Sequence, residues 1–170
     1  MMAGSAGGEH YRKGEGEVAG DLATPAKTLV AACTVWQARA FPGAQIVNEP
    51  GAMCWNEQVS HDFEGGKTFY AAVFGYQYDD MSRTSFRYTT FKVDGRDVGG
   101  IGDLHAGVPA STPAGWRLYF GAADTDASVA RVQANGGSVI REPVAHRYGR
   151  ISTVADDQGA VFSLLGVAPG

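Results

Sequence analysis

Cysteine is scarce in this sequence: Cys33 and Cys54 are the only two among 170 residues. Two thiols exclude a disulfide framework, and each lies in an apolar, strand-like run that suits a buried free thiol. Long hydrophobic runs are missing too. None approaches the roughly 20 residues of a bilayer span. The N-terminus lacks the apolar core of a signal peptide, so the expected location is cytoplasmic. Nor does one sign of charge dominate. Fourteen Lys and Arg stand against 18 Asp and Glu, for a net −4 spread along the chain. That leaves no basic stripe for nucleic acid and no polybasic cluster for a membrane surface. Large apolar side chains are nearly absent from residues 1–27, which read as a flexible leader because they bury too little to offset chain entropy.

Beyond the leader the composition changes. Hydrophobic residues make up 44% of the whole chain, enough for one domain with a real core. Residues 28–51 read as an added strand and linker. Thr28 to Ala38 interleaves β-branched and apolar residues, Phe41-Pro42-Gly43 turns the chain, Ala44 to Val47 is extended, and Asn48-Glu49-Pro50-Gly51 is a turn.

A pattern then occurs twice. Met53 to Ser60 reads as a strand. Asp62 caps a helix over Phe63 to Phe74, with Glu64 in its first turn, and Gly75 stops it. Phe63, Phe69, Tyr70, Val73 and Phe74 share roughly one face of that helix. Strands follow over Tyr76–Asp79, Ser85–Val93 and Asp97–Asp103, the last two joined by the hairpin signal Asp94-Gly95. His105 to Ala114 is a linker. The second unit repeats the order: strand Gly115–Ala122, Asp124, helix Thr125–Asn135, the stop Gly136-Gly137, then strands Ser138–Val144, Gly149–Ala155 and Ala160–Val167. The expected class is α+β, built from two βαβββ modules (52–104 and 115–168) in one domain over 52–168. A duplicated unit implies a pseudo-twofold axis and a ligand place between the halves.

In this order and spacing the chain resembles the vicinal oxygen chelate superfamily of glyoxalases, bleomycin-resistance proteins and extradiol dioxygenases. The resemblance rests on Trp55-Asn56-Glu57 leading to Asp62, Phe69-Tyr70 and Phe74-Gly75, then Val98-Gly99-Gly100. In the second half it rests on Trp116 to Phe120, Asp124-Thr125-Asp126, Gly136-Gly137, Gly149-Arg150 and Asp157 to Ser163. It implies a half-open curved barrel with both helices outside. Ala31 to Glu57 also resembles the junction of tandem two-domain members, so this chain is similar to their C-terminal half; an extra strand covering a sheet edge is the other reading of that segment.

Metal-dependent relatives carry His on the first strand of each unit and Glu on the last. Seven residues before Asp62 stands Trp55, and seven before Asp124 stands Arg117. Ser163 follows Gly159 where Glu is common in the family, and Gly99-Gly100-Ile101 supplies no ligand in the first unit. Trp does not bind a divalent ion and Arg repels one, so no metal and no cofactor are expected. Glyoxalase I and dioxygenase chemistry are disfavoured. His10, His61, His105 and His146 lie in leader, cap or loop positions.

Alternation places Trp55, Glu57 and Val59 on one strand face, and Arg117, Tyr119 and Gly121 on the equivalent one. Asn56 and Gln58 then face the first helix, unless a bulge shifts the register. The expected ligand-binding set is Trp55, Glu57, Tyr88, Arg117, Tyr119 and Ser163, with Phe86 and Thr90 nearby and His146, Tyr148 and Arg150 at the mouth. Aromatic faces would stack on a flat ligand while Arg117 and Glu57 orient it. Plainer readings stand beside this. Trp116, Phe69, Phe74 and Phe120 suit core packing, Trp55 suits either role, and Glu57 with Arg117 would make an internal ion pair. The function expected is metal-independent binding or sequestering of an aromatic or natural-product-like ligand. The alternative is a metal-independent isomerase, cyclase or hydrolase with Glu57 as general base and Arg117 or Tyr119 stabilising negative charge. A third reading is an interaction domain without a ligand. A homodimer is expected, with the N-terminal strand exchanged between subunits.

Overall fold

A computed structural model describes residues 37, 39–41, 43–104 and 114–168. The leader 1–27, the strand expected over 28–38 (Gln37 apart) and nearly all of the 105–114 linker lie outside the described residues.

The first module runs β1 (Met53–Ser60), α1 (Phe63–Phe74), β2 (Gln77–Asp80), β3 (Tyr88–Val93) and β4 (Arg96–Asp103). The second repeats it as β5 (Gly115–Ala122), α2 (Thr125–Ala134), β6 (Ser138–His146), β7 (Gly149–Ala155) and β8 (Val161–Gly166). All eight strands form one mixed, open sheet in the order β2-β3-β4-β1-β5-β8-β7-β6. Each half carries one parallel pair, β1 with β4 and β5 with β8. The halves meet at an antiparallel seam between β1 and β5, and the pseudo-twofold axis passes through it.

Local chemistry sets the boundaries. Asp62 Oδ1 accepts from the Gly65 amide at 2.8 Å, and Asp124 Oδ1 from the Ala127 amide at 2.9 Å. Each cap satisfies an N–H left free at a helix start. Gly75 ends α1 with φ of 69°, a left-handed conformation that costs glycine little. Asp94 and Gly95 both take positive φ, as a two-residue hairpin turn requires. Before β1, the Pro50–Ala52 arm lies along the end of β5, where Gly51 N donates to Gly121 O and Gly121 N to Ala52 O, both at 2.9 Å.

Two boundaries differ from the sequence reading by more than one residue. Strand β3 begins at Tyr88 instead of Ser85, because Arg83 and Phe86 exchange backbone hydrogen bonds and fold 81–87 into a turn. Strand β6 runs past Pro143 to His146; proline is tolerated there because β6 is an edge strand.

Both helices pack on one face of the sheet. Phe63 and Tyr70 of α1 close over Phe91 and Ile101, joined by Trp116, whose Nε1 donates to Tyr70 Oη at 3.1 Å. Val129 of α2 closes over Val154 and Leu164, and Phe120 meets Phe162 edge to face. Trp116 and Phe120 thus pack as the plainer reading has it. Phe69 and Phe74 do not: Phe69 is 59% exposed and Phe74 is exposed too. The buried positions on α1 are seven apart, so its core stripe is narrower than the apolar pattern suggests. Among the described residues no helix is long and apolar enough to cross a membrane.

Candidate functional site

The helix-free face of the sheet carries the polar cluster. Across the seam Glu57 pairs with Arg117 and Trp55 with Tyr119. Antiparallel partners share a face, so these four side chains stand together. On the other side of β1, Glu57 is in register with Gly100 of β4. Tyr88 of β3 reaches over that glycine.

Hydrogen bonds and close charges tie the group together. Trp55 Nε1 donates to Tyr88 Oη at 3.0 Å. The Glu57 carboxylate stands near enough to the Tyr88 hydroxyl for its charge to act on it. Tyr119 Oη donates to Glu57 Oε1, and Arg117 Nη1 lies 3.9 Å from the same oxygen. Five of the six residues expected to form the site are therefore connected. Ser163 is the exception. It stands opposite Tyr119 in the β5–β8 register, but it is fully buried and its hydroxyl pairs with Thr153 Oγ1 at 3.2 Å.

Burial decides the electrostatics. Removal from water pushes the Tyr88 hydroxyl well above the ordinary phenol range, and the Glu57 charge pushes it further. Tyr119 is raised for the same two reasons, with Arg117 opposing. Both phenols therefore stay protonated at neutral pH and act as donors. A buried carboxylate is costly unless it is paired and hydrogen-bonded, and Glu57 has both kinds of partner. On the same strand, Cys54 donates to Tyr119 O at 3.4 Å, and burial raises its pKa. A thiol held protonated is a poor nucleophile.

Asn56 and Gln58 do face α1. The bulge in β1 falls between Met53 and Trp55, ahead of both. Asn56 Nδ2 donates to Val98 O at 2.9 Å, whereas the buried Gln58 Oε1 lies against Gly66 without a hydrogen-bond partner. At the far hairpin, Arg150 is bound to Asp126 through two bonds of 2.6 and 2.9 Å. His146 and Tyr148 sit ring to ring at 5.3 Å.

A divalent metal does not fit this side-chain set. The Trp55 nitrogen is a donor already engaged with Tyr88, Arg117 is a cation, and Ser163 is held by Thr153. At Gly100 the ligand space is filled by a phenol: a β-carbon there would stand 2.1 Å from Tyr88 Oη. Among the described residues no three His, Cys, Asp or Glu side chains gather into a ligand group. The partnership of Tyr88 with Gly100 was missed from sequence, although glycine inside a strand signals close approach. Thr153 left no comparable signal.

Paired βαβββ modules in one open sheet, with a polar cluster on the helix-free face, define the vicinal oxygen chelate class. The chain belongs to the glyoxalase-like domain family, whose model matches residues 53–165. It is 37% identical over 141 residues to the Mycobacterium tuberculosis protein named "Putative glyoxylase CFP32", covering 82% of this chain and 53% of that one. It is 32% identical over 146 residues to the anthracycline biosynthesis protein DauV of Streptomyces sp. strain C5, covering 86% and 52%. The chain thus spans about half the length of the curated relatives it matches. Among solved structures, a Streptomyces coelicolor methylmalonyl-CoA epimerase variant in complex with 2-nitronate-propionyl-CoA superposes with a TM-score of 0.50 at 18% identity, covering 71% of this chain and 96% of that one. That likeness concerns the fold alone.

Proposed function

We propose that this domain binds and sequesters a small, flat, aromatic molecule of natural-product type on the helix-free face of its sheet, without a metal. The observation that carries this reading is the network from Trp55 through Tyr88 and Glu57 to Tyr119. It is a preorganised patch of rings and fixed donors, which suits recognition of a flat ligand. Glu57 accepts from the Tyr119 phenol, stands beside Tyr88 and faces Arg117, which suits a strut more than a free base. The naming of DauV for anthracycline biosynthesis supports a natural-product ligand. Native mass spectrometry of the purified protein, followed by titration of tryptophan fluorescence with any co-purified compound, tests this. Saturable quenching that a Trp55→Leu variant loses is expected; unchanged quenching in that variant overturns it.

A second reading is metal-independent catalysis on a natural-product intermediate, with Glu57 as general base and Arg117 or Tyr119 stabilising negative charge. The specific support is the pair of protonated phenols beside a carboxylate, a set able to move a proton and hold an oxyanion. Glu57→Gln separates the two: an enzyme loses turnover by about 100-fold or more, and a sequestering protein keeps most of its affinity. The protein is further proposed to act as a homodimer, with the N-terminal segment exchanged between subunits. Light scattering tests this, and a monomer at micromolar concentration counts against it.

A further inference from the structure

The two charges of the site are not equally available. Glu57 is the sheltered one: its side chain is 11% exposed, and it takes a hydrogen bond from Tyr119. Arg117 is the open one. Its side chain is 31% exposed, and its nearest carboxylate oxygen is 3.9 Å away, beyond hydrogen-bond length. The guanidinium also stands beside the Tyr119 phenol, but about a third of it is open to solvent. Across the strands of this face its neighbour is Glu57, with Gly100 beyond it. Tyr119 donates to the carboxylate, and the guanidinium is the more exposed of the two charges.

Aromatic surface lies beside this cation. Trp55 is half-buried, with its ring nitrogen tied to Tyr88. Phe86 is 38% exposed, its ring centroid 6.3 Å from that of Tyr88. Guanidinium presents a planar fork that matches a carboxylate with two parallel hydrogen bonds.

Resting on the binding reading above, we infer that the ligand is an aromatic carboxylate, its carboxylate taken by Arg117 and its ring system laid against Trp55 and Phe86. Neutral aromatics of the same shape gain only the stacking.

The test uses two probes of one shape, anthraquinone-2-carboxylate and anthraquinone-2-carboxamide, titrated by isothermal calorimetry into the wild-type protein at neutral pH and low salt. The acid is expected to bind about tenfold tighter than the amide or better, as a charge-assisted pair implies. Arg117→Gln should erase that preference while leaving amide affinity within about twofold, and Arg117→Lys should restore part of it. Equal affinity of acid and amide for the wild-type protein would overturn the carboxylate assignment and leave the binding reading standing. Failure of both probes to bind would overturn the binding reading and this inference with it. Because the decisive comparison is made on the wild-type protein, it does not depend on either variant folding.

Discussion

The phenol of Tyr88 occupies the space that a side chain at Gly100 would need. A β-carbon there would come within 2.1 Å of the hydroxyl oxygen and 2.5 Å of the ring carbon that bears it. The ring is rigid and its hydroxyl is held by Trp55, so it cannot yield cheaply. Gly100→Ala should therefore expel Tyr88 from the network and cost about 1–3 kcal/mol, a fall of several degrees in Tm. Thermal unfolding of Gly100→Ala, Tyr88→Ala and the double variant checks this. The double variant should be clearly less destabilised than the sum of the singles, since both disrupt one contact.

Raised phenols tie stability to alkaline pH. Tyr88 and Tyr119 have folded-state pKa values above the ordinary value of 10.0. The folded protein then holds protons that the unfolded chain releases, so stability falls as pH rises past about 10. Below that pH their contribution is fully present. Ultraviolet titration should show at least two of the seven tyrosines ionising only as the protein unfolds. Denaturant midpoints should decline above pH 10 less steeply in Tyr88→Phe and Tyr119→Phe than in the wild type.

Removing the carboxylate leaves its donors without an acceptor. Glu57→Leu should destabilise by about 1–3 kcal/mol, discounted because Arg117 is partly solvated. Pairing it with Arg117→Met should recover part of that loss, because the cation left without its counter-charge is then gone too. Urea unfolding of the four proteins measures the coupling.

The two helix caps should prove interchangeable in worth. Asp62→Ala and Asp124→Ala each remove one side-chain acceptor at a helix start and should each cost about 0.5–2 kcal/mol. Asp→Asn should cost much less at both positions. A near-zero effect at one of them, by chemical denaturation, would mean that its helix is held by packing alone.

How far the sequence discloses this molecule depends on the range of each interaction. Strand β1 and helix α1 are legible to the residue, because Asp62 and Gly75 mark the helix by local chemistry. The faces of β1 and β5 are also legible, since alternation alone sets them. The start of β3 is not: Ser85 and Phe86 suit a strand, and only the backbone exchange between Arg83 and Phe86 turns them away. Exposure of Phe69 depends on how α1 lies against the sheet, which the helical pattern does not specify. Ser163 shows the limit at the site. Its face is predictable, but its bond to Thr153 depends on the neighbouring strand. The meeting of Tyr88 with Gly100 likewise needs the sheet order.

The seam between β1 and β5 makes the helix-free face directional. The pseudo-twofold axis carries Trp55 onto Arg117 and Glu57 onto Tyr119, each at the same interval from the cap of its own helix. Where two identical halves would present matching ends, this chain presents an indole at one and a guanidinium at the other. A molecule entered head first would therefore meet a different surface from the same molecule entered tail first. Divergence within a duplicated scaffold has made the two ends of a symmetric face chemically distinct.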